Sequence, residues 1–215
     1  MAYEIRQYSP EDREAVRQIC CNTGFQGDPV DPLFSDRDVF ADFFTRYYTD
    51  WEPETALVAE ADGKVVGYMI GCSRSTYHWF VEKYILFFII VPKVIWRFLT
   101  GKYSAQDRKF LYWSCWKASG ETPRAPGNTP HFHFNILPEY RDRRSTYKLV
   151  FTFMDMLARR GHKQVYGQIQ TYEDRRPLKT FERYGFYMYD QREVSKFQAF
   201  QQRKVYVTTF VKELN

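Results

Sequence analysis

Residues 131–146 read His-Phe-His-Phe-Asn-Ile-Leu-Pro-Glu-Tyr-Arg-Asp-Arg-Arg-Ser-Thr, and this stretch decides the fold. Its first half, His131–Leu137, has the alternation of a β-strand. Its second half leads into a predicted helix, Arg144–Arg160, which has a regular apolar face and Gly161 as a natural C-cap. A strand–loop–helix junction directs backbone N–H groups and the positive end of a helix dipole to one place. It can therefore hold a phosphate or pyrophosphate.

Charged and titratable side chains add to this junction. Guanidinium groups bind phosphate well, so Arg141, Arg143 and Arg144 favour an anion site, although a solvated surface is the alternative. On the strand, His131, His133 and Asn135 share one face, while Phe132, Phe134 and Ile136 share the other. His133 is the candidate general base because imidazole titrates close to neutral pH. A structural histidine is the alternative.

The regions on either side predict a mixed α/β chain. Ser9, Pro10 and Asp12 have the order of a helix start. The predicted N-terminal elements are the strand Tyr3–Tyr8, a helix from Ser9, a helix over Ser35–Tyr48, and the strands Ala56–Glu60 and Lys64–Gly71 around an Asp62-Gly63 turn. The predicted C-terminal elements are the strand Gln164–Gln170, a helix over Arg176–Tyr184, and the strands Phe186–Tyr189 and Lys204–Val211.

Residues 77–129 form an aromatic-rich segment between these two regions. The apolar run Tyr84–Val91 is far shorter than the roughly 20 residues that a membrane-spanning helix needs, so no transmembrane segment is expected. Pro92 predicts a break or a kink, and the segment is interpreted as two helices, Trp79–Ile90 and Pro92–Thr100, with a third over Asp107–Trp116. Three interpretations stay open: a lid packed on the core, a substrate-channel wall or homodimer surface, and peripheral membrane contact.

Composition bounds the class of protein. Hydrophobic residues make up 44% and charged residues 27%, which is globular, and 215 residues suit a single domain (1–215) with an insertion. The net charge of +5 suits an anionic cofactor. The sequence has no arginine-rich tail of the kind that indicates nucleic-acid binding, so no nucleic acid is expected as a partner. Cys20, Cys21, Cys72 and Cys115 match no metal motif, so no metal is expected. Reduced thiols, and a start without a signal-peptide core, predict a cytoplasmic protein.

Two segments resemble the motifs of the GNAT N-acetyltransferase superfamily. Ile136-Leu-Pro-Glu-Tyr-Arg141 before a helix resembles the acetyl-CoA motif, an apolar residue, x-Pro, and then Arg/Gln-x-x-Gly-x-Gly/Ala. Phe181-Glu-Arg-Tyr-Gly-Phe186 resembles the family's closing Tyr-Glu-x-x-Gly-Phe. The resemblance covers nearly the whole chain outside 77–129. His131–Tyr140 further resembles a branch that includes the acetyltransferase-like domain attached to O-GlcNAc hydrolases.

The resemblance implies a GNAT fold, a splayed, mixed and mostly antiparallel sheet flanked by helices, with acetyl-CoA in the opening of the sheet. It implies direct attack by an amine, from a small molecule or a peptide, on the thioester carbonyl. Backbone near Ile136 and Leu137 would hold the thioester. The other implied cofactor-binding residues are Arg141, Asp142, Arg143, Arg144, Ser145 and Thr146 at the pyrophosphate, with Asp174 and Phe181 at family positions on the next helix.

The chain departs from the family pattern at three positions. Arg144 and Thr146 replace the motif's glycines, and Phe181 replaces the tyrosine that serves as general acid. Tyr184 is the substitute candidate for the acid, with simple aromatic packing as the alternative. The candidate catalytic residues are therefore His133, Asn135 and Tyr184. A catalytically weak or inactive GNAT-fold binding module is the alternative function.

Overall fold

The computed structural model describes residues 3–172 and 176–214, without the side chains of residues 143–145, 176–178 and 180. The strands are β1 (Glu4–Gln7), β2 (Ala56–Ala61), β3 (Lys64–Cys72), β4 (His131–Ile136), β5 (Gln164–Tyr172), β6 (Tyr187–Glu193) and β7 (Val205–Glu213). The helices are α1 (Arg13–Asn22), α2 (Arg37–Asp50), α3 (Ser75–Ile85), α4 (Val91–Leu99), α5 (Ala105–Trp116), α6 (Ala118–Glu121), α7 (Arg143–Arg159) and α8 (Arg176–Arg183).

All seven strands join one sheet in the order β1-β2-β3-β4-β5-β7-β6. Every neighbouring pair is antiparallel except β4 and β5, which are parallel. That parallel pair has two pairings, His131 with Tyr166 and Phe132 with Gly167, and beyond them the strands part. The sheet is therefore splayed, mixed and mostly antiparallel, as predicted.

The two sides of the sheet bury separate hydrophobic clusters. One lies under α1, α2 and the insertion and includes Val16, Tyr48 and Tyr68. The other lies under α7 and α8 and includes Phe153 and Phe181. A sheet with each face covered by helices gives the chain its three-layer α/β architecture.

Strand β4 lies between the two clusters and contributes Phe132 and Ile136 to the one under α7. It pairs with β3 in unbroken register, from His131 opposite Cys72 to Ile136 opposite Gly67. Because no bulge interrupts this register, side chains alternate strictly. Phe132 and Ile136 face α7, and His131 lies against Tyr48 of α2, which confirms the predicted division of the strand.

The insertion differs from its sequence-based prediction at Pro92. The expected break there is wrong: α3, a π-helical segment (Leu86–Ile90) and α4 form one continuous helix from Ser75 to Leu99. Proline lacks a backbone N–H and disrupts the preceding turn of a helix. The wider π turn absorbs that disruption, and the N–H of Val91 donates to the Leu86 carbonyl across it.

Ion pairs attach this long helix to α2. Lys93 lies 2.9 Å from a carboxylate oxygen of Asp38 and 2.7 Å from one of Asp42. Arg97 pairs with Asp36 and also reaches Asp38 at 2.9 Å. The α4 part of the helix therefore directs Lys93 and Arg97 inward, towards the rest of the protein.

Candidate active site

The parting of β4 and β5 creates a wedge-shaped opening, the β4–β5 cleft, between His133–Ile136 and Gln168–Tyr172. The carbonyl of Pro130 accepts from the Tyr166 N–H, so even-numbered residues of β4 direct their backbone groups towards β5. The backbone N–H groups of Phe134 and Ile136 consequently face the cleft. They form a short row of donors along one wall.

The amino end of α7 lies at the same end of the cleft. Residues 137–142 connect β4 to α7, and the Thr146 N–H donates to the Asp142 carbonyl to close the first turn. A helix amino end carries partial positive charge and N–H groups without intrahelical partners. The geometry predicted for an anion site at this junction is thus present in the backbone.

Arg141 stabilises the loop that precedes α7. Its Nε donates to the Ile136 carbonyl at 2.9 Å, and its Nη2 donates to the Gly27 carbonyl at 3.0 Å. Gly27 has a φ of 99°, and a Cβ there would lie 2.9 Å from Arg141 Nη1. Glycine at this position permits both the backbone conformation and the close approach of the guanidinium.

A second contact reaches the same loop from β5. The Tyr172 hydroxyl donates to the side-chain oxygen of Gln26 at 2.7 Å. Gln26 and Gly27 are therefore held by Arg141 on the β4 side and by Tyr172 on the β5 side. The loop spans the wide end of the β4–β5 cleft.

Three histidines form a cluster on the α2 side of β4. Nε2 of His131 lies 2.7 Å from the Tyr48 hydroxyl. The His131 ring centroid is 4.8 Å from that of His78 and 5.6 Å from that of His133. Tyr166 of β5 closes the group, with its ring 5.4 Å from His131. The cluster thus joins α2, α3, β4 and β5.

Burial sets the protonation of this cluster. Burial, together with the neighbouring His78, lowers the pKa of His133 to about 4. It holds the pKa of His131 well below the usual value, and the charges of His133 and His78 act in the same direction. Burial also lowers the pKa of His78, against the opposing effect of Glu82. At neutral pH these imidazoles are uncharged, which is the form that accepts a proton.

The other predicted polar residues lie in different surroundings. Asn135 donates from Nδ2 to the buried Tyr68 hydroxyl at 2.7 Å, which fixes its amide. Tyr184 lies in an aromatic group with Tyr147 and Phe151, at centroid distances of 5.3 and 6.0 Å. This group packs on the cluster under α7. Tyr184 and the histidines therefore lie on opposite faces of the sheet.

The structure describes some of the remaining predicted cofactor residues and leaves others outside its described part. Ile136 is buried, while the Leu137 N–H donates to the Val66 carbonyl at 2.9 Å and points away from β5. Phe181 is buried and stacks on Phe210 at 5.1 Å. Asp174 lies outside the described residues, as do the side chains of Arg143, Arg144 and Ser145.

Sequence reasoning missed several residues of the site. The sequence marks Tyr48 only as the end of the predicted helix Ser35–Tyr48, and His78 only as part of the insertion. Gln26 and Gly27 stood in a loop that carried no recognised motif. A tyrosine among phenylalanines on an apolar helix face was a signal, since a buried hydroxyl usually has a hydrogen-bond partner.

All four cysteines are free, and burial raises the pKa of Cys20 and of Cys72 to about 12. Across 3–172 and 176–214, no group of three His, Cys, Asp or Glu side chains is arranged to hold a metal ion.

Comparison with known proteins supports the fold. No family model and no curated protein matches the chain. The crystal structure of a protein called SsHAT matches with a TM-score of 0.63 and 23% identity over 100% of both chains. An N-acetyltransferase from Staphylococcus aureus Mu50 matches at 0.57 and 12%, again over 100% of both.

A third solved structure carries a ligand. It is a GNAT superfamily phosphinothricin acetyltransferase (Pat) from Sinorhizobium meliloti in complex with AcCoA. Its TM-score is 0.58 at 13% identity, and the match covers 100% of this chain and 90% of that one. At these identities the likeness concerns the fold, and it confirms the predicted GNAT fold.

Proposed function

We propose that this protein is an N-acetyltransferase that binds acetyl-CoA in the β4–β5 cleft and transfers the acetyl group to an amine. The observation that carries the proposal is the parting of β4 and β5 after two residue pairs, with the amino end of α7 at the same opening. A solved protein with this fold is an acetyltransferase in complex with AcCoA.

The cofactor site is proposed from the backbone outward. Acetyl-CoA would supply the acetyl thioester, and the N–H groups of Phe134 and Ile136 are proposed to hold it and to stabilise negative charge on its carbonyl oxygen. The Leu137 N–H is bonded to the Val66 carbonyl and the Leu137 carbonyl accepts from the Tyr140 N–H, so only the second lone pair of that carbonyl is left for the cofactor. The N–H groups of Asp142, Arg143, Arg144 and Ser145 are proposed to hold the pyrophosphate. The N–H groups of Arg141 and Thr146 already donate to the Pro138 and Asp142 carbonyls, so these two residues are proposed to contribute their side chains.

The catalytic residues stay as the sequence predicted them. His133 is the proposed base, because burial keeps its imidazole uncharged and able to take a proton from the acceptor amine. Asn135, held by Tyr68, is proposed to orient the amine. Tyr184 is the proposed proton donor, with Phe181 and Asp174 contributing to the cofactor wall.

Other predictions complete the proposal. The acceptor is a small-molecule or peptide amine, with no nucleic acid involved, and the protein is cytoplasmic. The narrower resemblance of His131–Tyr140 to the acetyltransferase-like domain of O-GlcNAc hydrolases also stays a prediction. A homodimer is one of the open interpretations of the insertion.

Two measurements on the full chain test the proposal. Calorimetry with acetyl-CoA is expected to show saturable binding, and release of the CoA thiol is expected with at least one member of a panel of small amines and amino-terminal peptides. Absence of binding at millimolar acetyl-CoA would contradict the cofactor site. Binding without thiol release from any acceptor would instead favour the inactive binding module.

A further inference from the structure

The outward surface of the helix Ser75–Leu99 is unusually apolar. Apart from Thr76 and Lys83, each of its exposed residues is aromatic, aliphatic or Pro92. Phe88 is 71% exposed and Leu99 76%. With exposed Trp116 of α5 nearby, these side chains form the insertion face, defined by Phe80, Tyr84, Phe88, Trp96, Leu99 and Trp116. Apolar patches of this kind mark interaction sites on proteins.

The orientation of α4 shows that this exposure is built into the fold. A surface helix normally places its charges in water and its apolar stripe on the core. Here Lys93 and Arg97 face inward and pair with Asp36, Asp38 and Asp42 of the α2 region. These ion pairs hold the helix with its apolar side chains directed outward.

A groove of about 330 Å³ crosses the insertion face between α4 and α5. Ile95 and Leu99 line one side, and Leu111, Tyr112 and Trp116 line the other. Binding pockets for small ligands start at about 300 Å³, so the groove can take part of an acyl chain. Arg108 also lines it, with its guanidinium 5.4 Å from the Phe98 ring.

The exposed charges of the insertion are all of one sign. None of the three acidic side chains of residues 75–121 is exposed. Glu82 is half-buried, Asp107 caps α5, and Glu121 accepts hydrogen bonds from Trp113 and Ser195. The charged residues that remain exposed are Lys83, Lys102, Arg108, Lys109 and Lys117, and no ion pair holds any of them within the described parts of the chain.

We infer that the insertion face docks on an anionic lipid bilayer. Trp and Tyr side chains favour the boundary between headgroups and acyl chains, and lysine and arginine are attracted to anionic headgroups. A second copy of the chain fits less well, because a two-fold contact would bring five like charges against five. Within 3–172 and 176–214 no helix is long and apolar enough to cross a membrane, so the contact is peripheral.

Co-sedimentation of the full chain with vesicles tests this inference. We expect binding to vesicles of phosphatidylcholine with phosphatidylglycerol, and much weaker binding to phosphatidylcholine alone. Phe88→Asp combined with Trp96→Asp is expected to lower the partition coefficient at least about tenfold, because both side chains leave the apolar phase. Lys102→Glu with Lys109→Glu should weaken binding and reduce its dependence on salt.

A matched control separates docking from general stickiness. Met188→Asp changes an exposed apolar residue of β6, 53% exposed and outside the insertion face, and this variant should bind as the unchanged chain does. Circular dichroism checks that each variant is folded. The inference fails if the unchanged chain stays in the supernatant with both vesicle types, or if Met188→Asp loses as much binding. It also fails if the chain ignores vesicles and is instead a dimer that Trp96→Asp dissociates.

Discussion

The Tyr48 hydroxyl lies 2.7 Å from Nε2 of His131, and this contact connects α2 to β4 at the centre of the histidine cluster. Burial raises the pKa of Tyr48 well above its usual value, so the phenol keeps its proton. His131 and His133 are uncharged for the same physical reason. The cluster is therefore a neutral group of packed rings inside the protein, and charging it must cost stability.

The first prediction follows from the sign of that cost. The pKa of His133 is about 4 in the folded chain against an ordinary 6.5, so the unfolded chain binds more protons between these values. The contribution of His133 to the free energy of unfolding has its full value above about pH 6.5. It falls as the pH drops towards 4, by at most about 3 kcal/mol. Urea unfolding at a series of pH values measures the fall.

The informative comparison is between two variants. His133→Gln should have a shallower decline than the unchanged chain over this range. His162→Gln, which follows α7 outside the cluster, should keep the full decline. Carboxylates take up protons over a similar range as the pH falls, so the difference in slope between the variants is the quantity to compare. Equal slopes for His133→Gln and the unchanged chain would refute the prediction.

The second prediction concerns the loop across the cleft. Gly27→Ala places a Cβ 2.9 Å from Arg141 Nη1, while Gly101→Ala meets nothing within 4 Å. Both glycines have positive φ, 99° and 70°, so both variants carry a similar backbone cost of about 1 kcal/mol. Only Gly27→Ala is expected to displace Arg141 and weaken acetyl-CoA binding in calorimetry. Equal weakening in Gly101→Ala would show that strain alone is responsible.

The third prediction tests the proposed acid. Tyr184→Phe removes a hydroxyl from the aromatic group on α7 and should lower the acetyl-transfer rate by about tenfold or more, with little change in the affinity for acetyl-CoA. Tyr147→Phe, in the same group, is the control and should keep the rate. If both variants react at the unchanged rate, the proton reaches the leaving thiolate from another source.

The fourth prediction concerns the ion pairs that hold the insertion. Asp42 is buried and binds Arg17 at 2.5 Å and Lys93 at 2.7 Å. Asp42→Asn leaves Arg17 with Asp38, at 2.6 Å, as its remaining close partner and should cost about 3 kcal/mol of unfolding free energy, the low end for a broken buried pair. Asp31→Asn breaks an exposed pair with Arg37 and should cost less than about 1 kcal/mol. Urea unfolding of both variants distinguishes these values, and similar losses would contradict the account.

Local pattern predicted the parts of the fold that depend on local physics. The alternation in β4 identified which residues share a face, because side-chain direction in a strand has a period of two. The junction before α7 was equally recognisable, since a strand, an x-Pro turn and an amphipathic helix follow one another directly. The closing strands and α8 also lay close to their predicted bounds.

The features that sequence missed join distant parts of the chain. Tyr48 and His131 are 83 residues apart, Gly27 and Arg141 are 114 apart, and Gln26 and Tyr172 are 146 apart. No periodicity links such pairs. The error at Pro92 has a similar origin, because Ile85 and Ile90 pack on the core from either end of the π turn and favour a continuous helix.

The seam between β4 and β5 has a consequence for how the molecule opens. Two residue pairs connect the antiparallel half β1–β4 to the half β5–β7–β6, whereas β5 and β7 share nine. Units joined so weakly can open separately, and their amide protons then exchange with solvent at different rates. A ligand bound between β4 and β5 would link the two halves mechanically. Its binding should therefore slow amide hydrogen exchange along β5, including at residues that it does not contact.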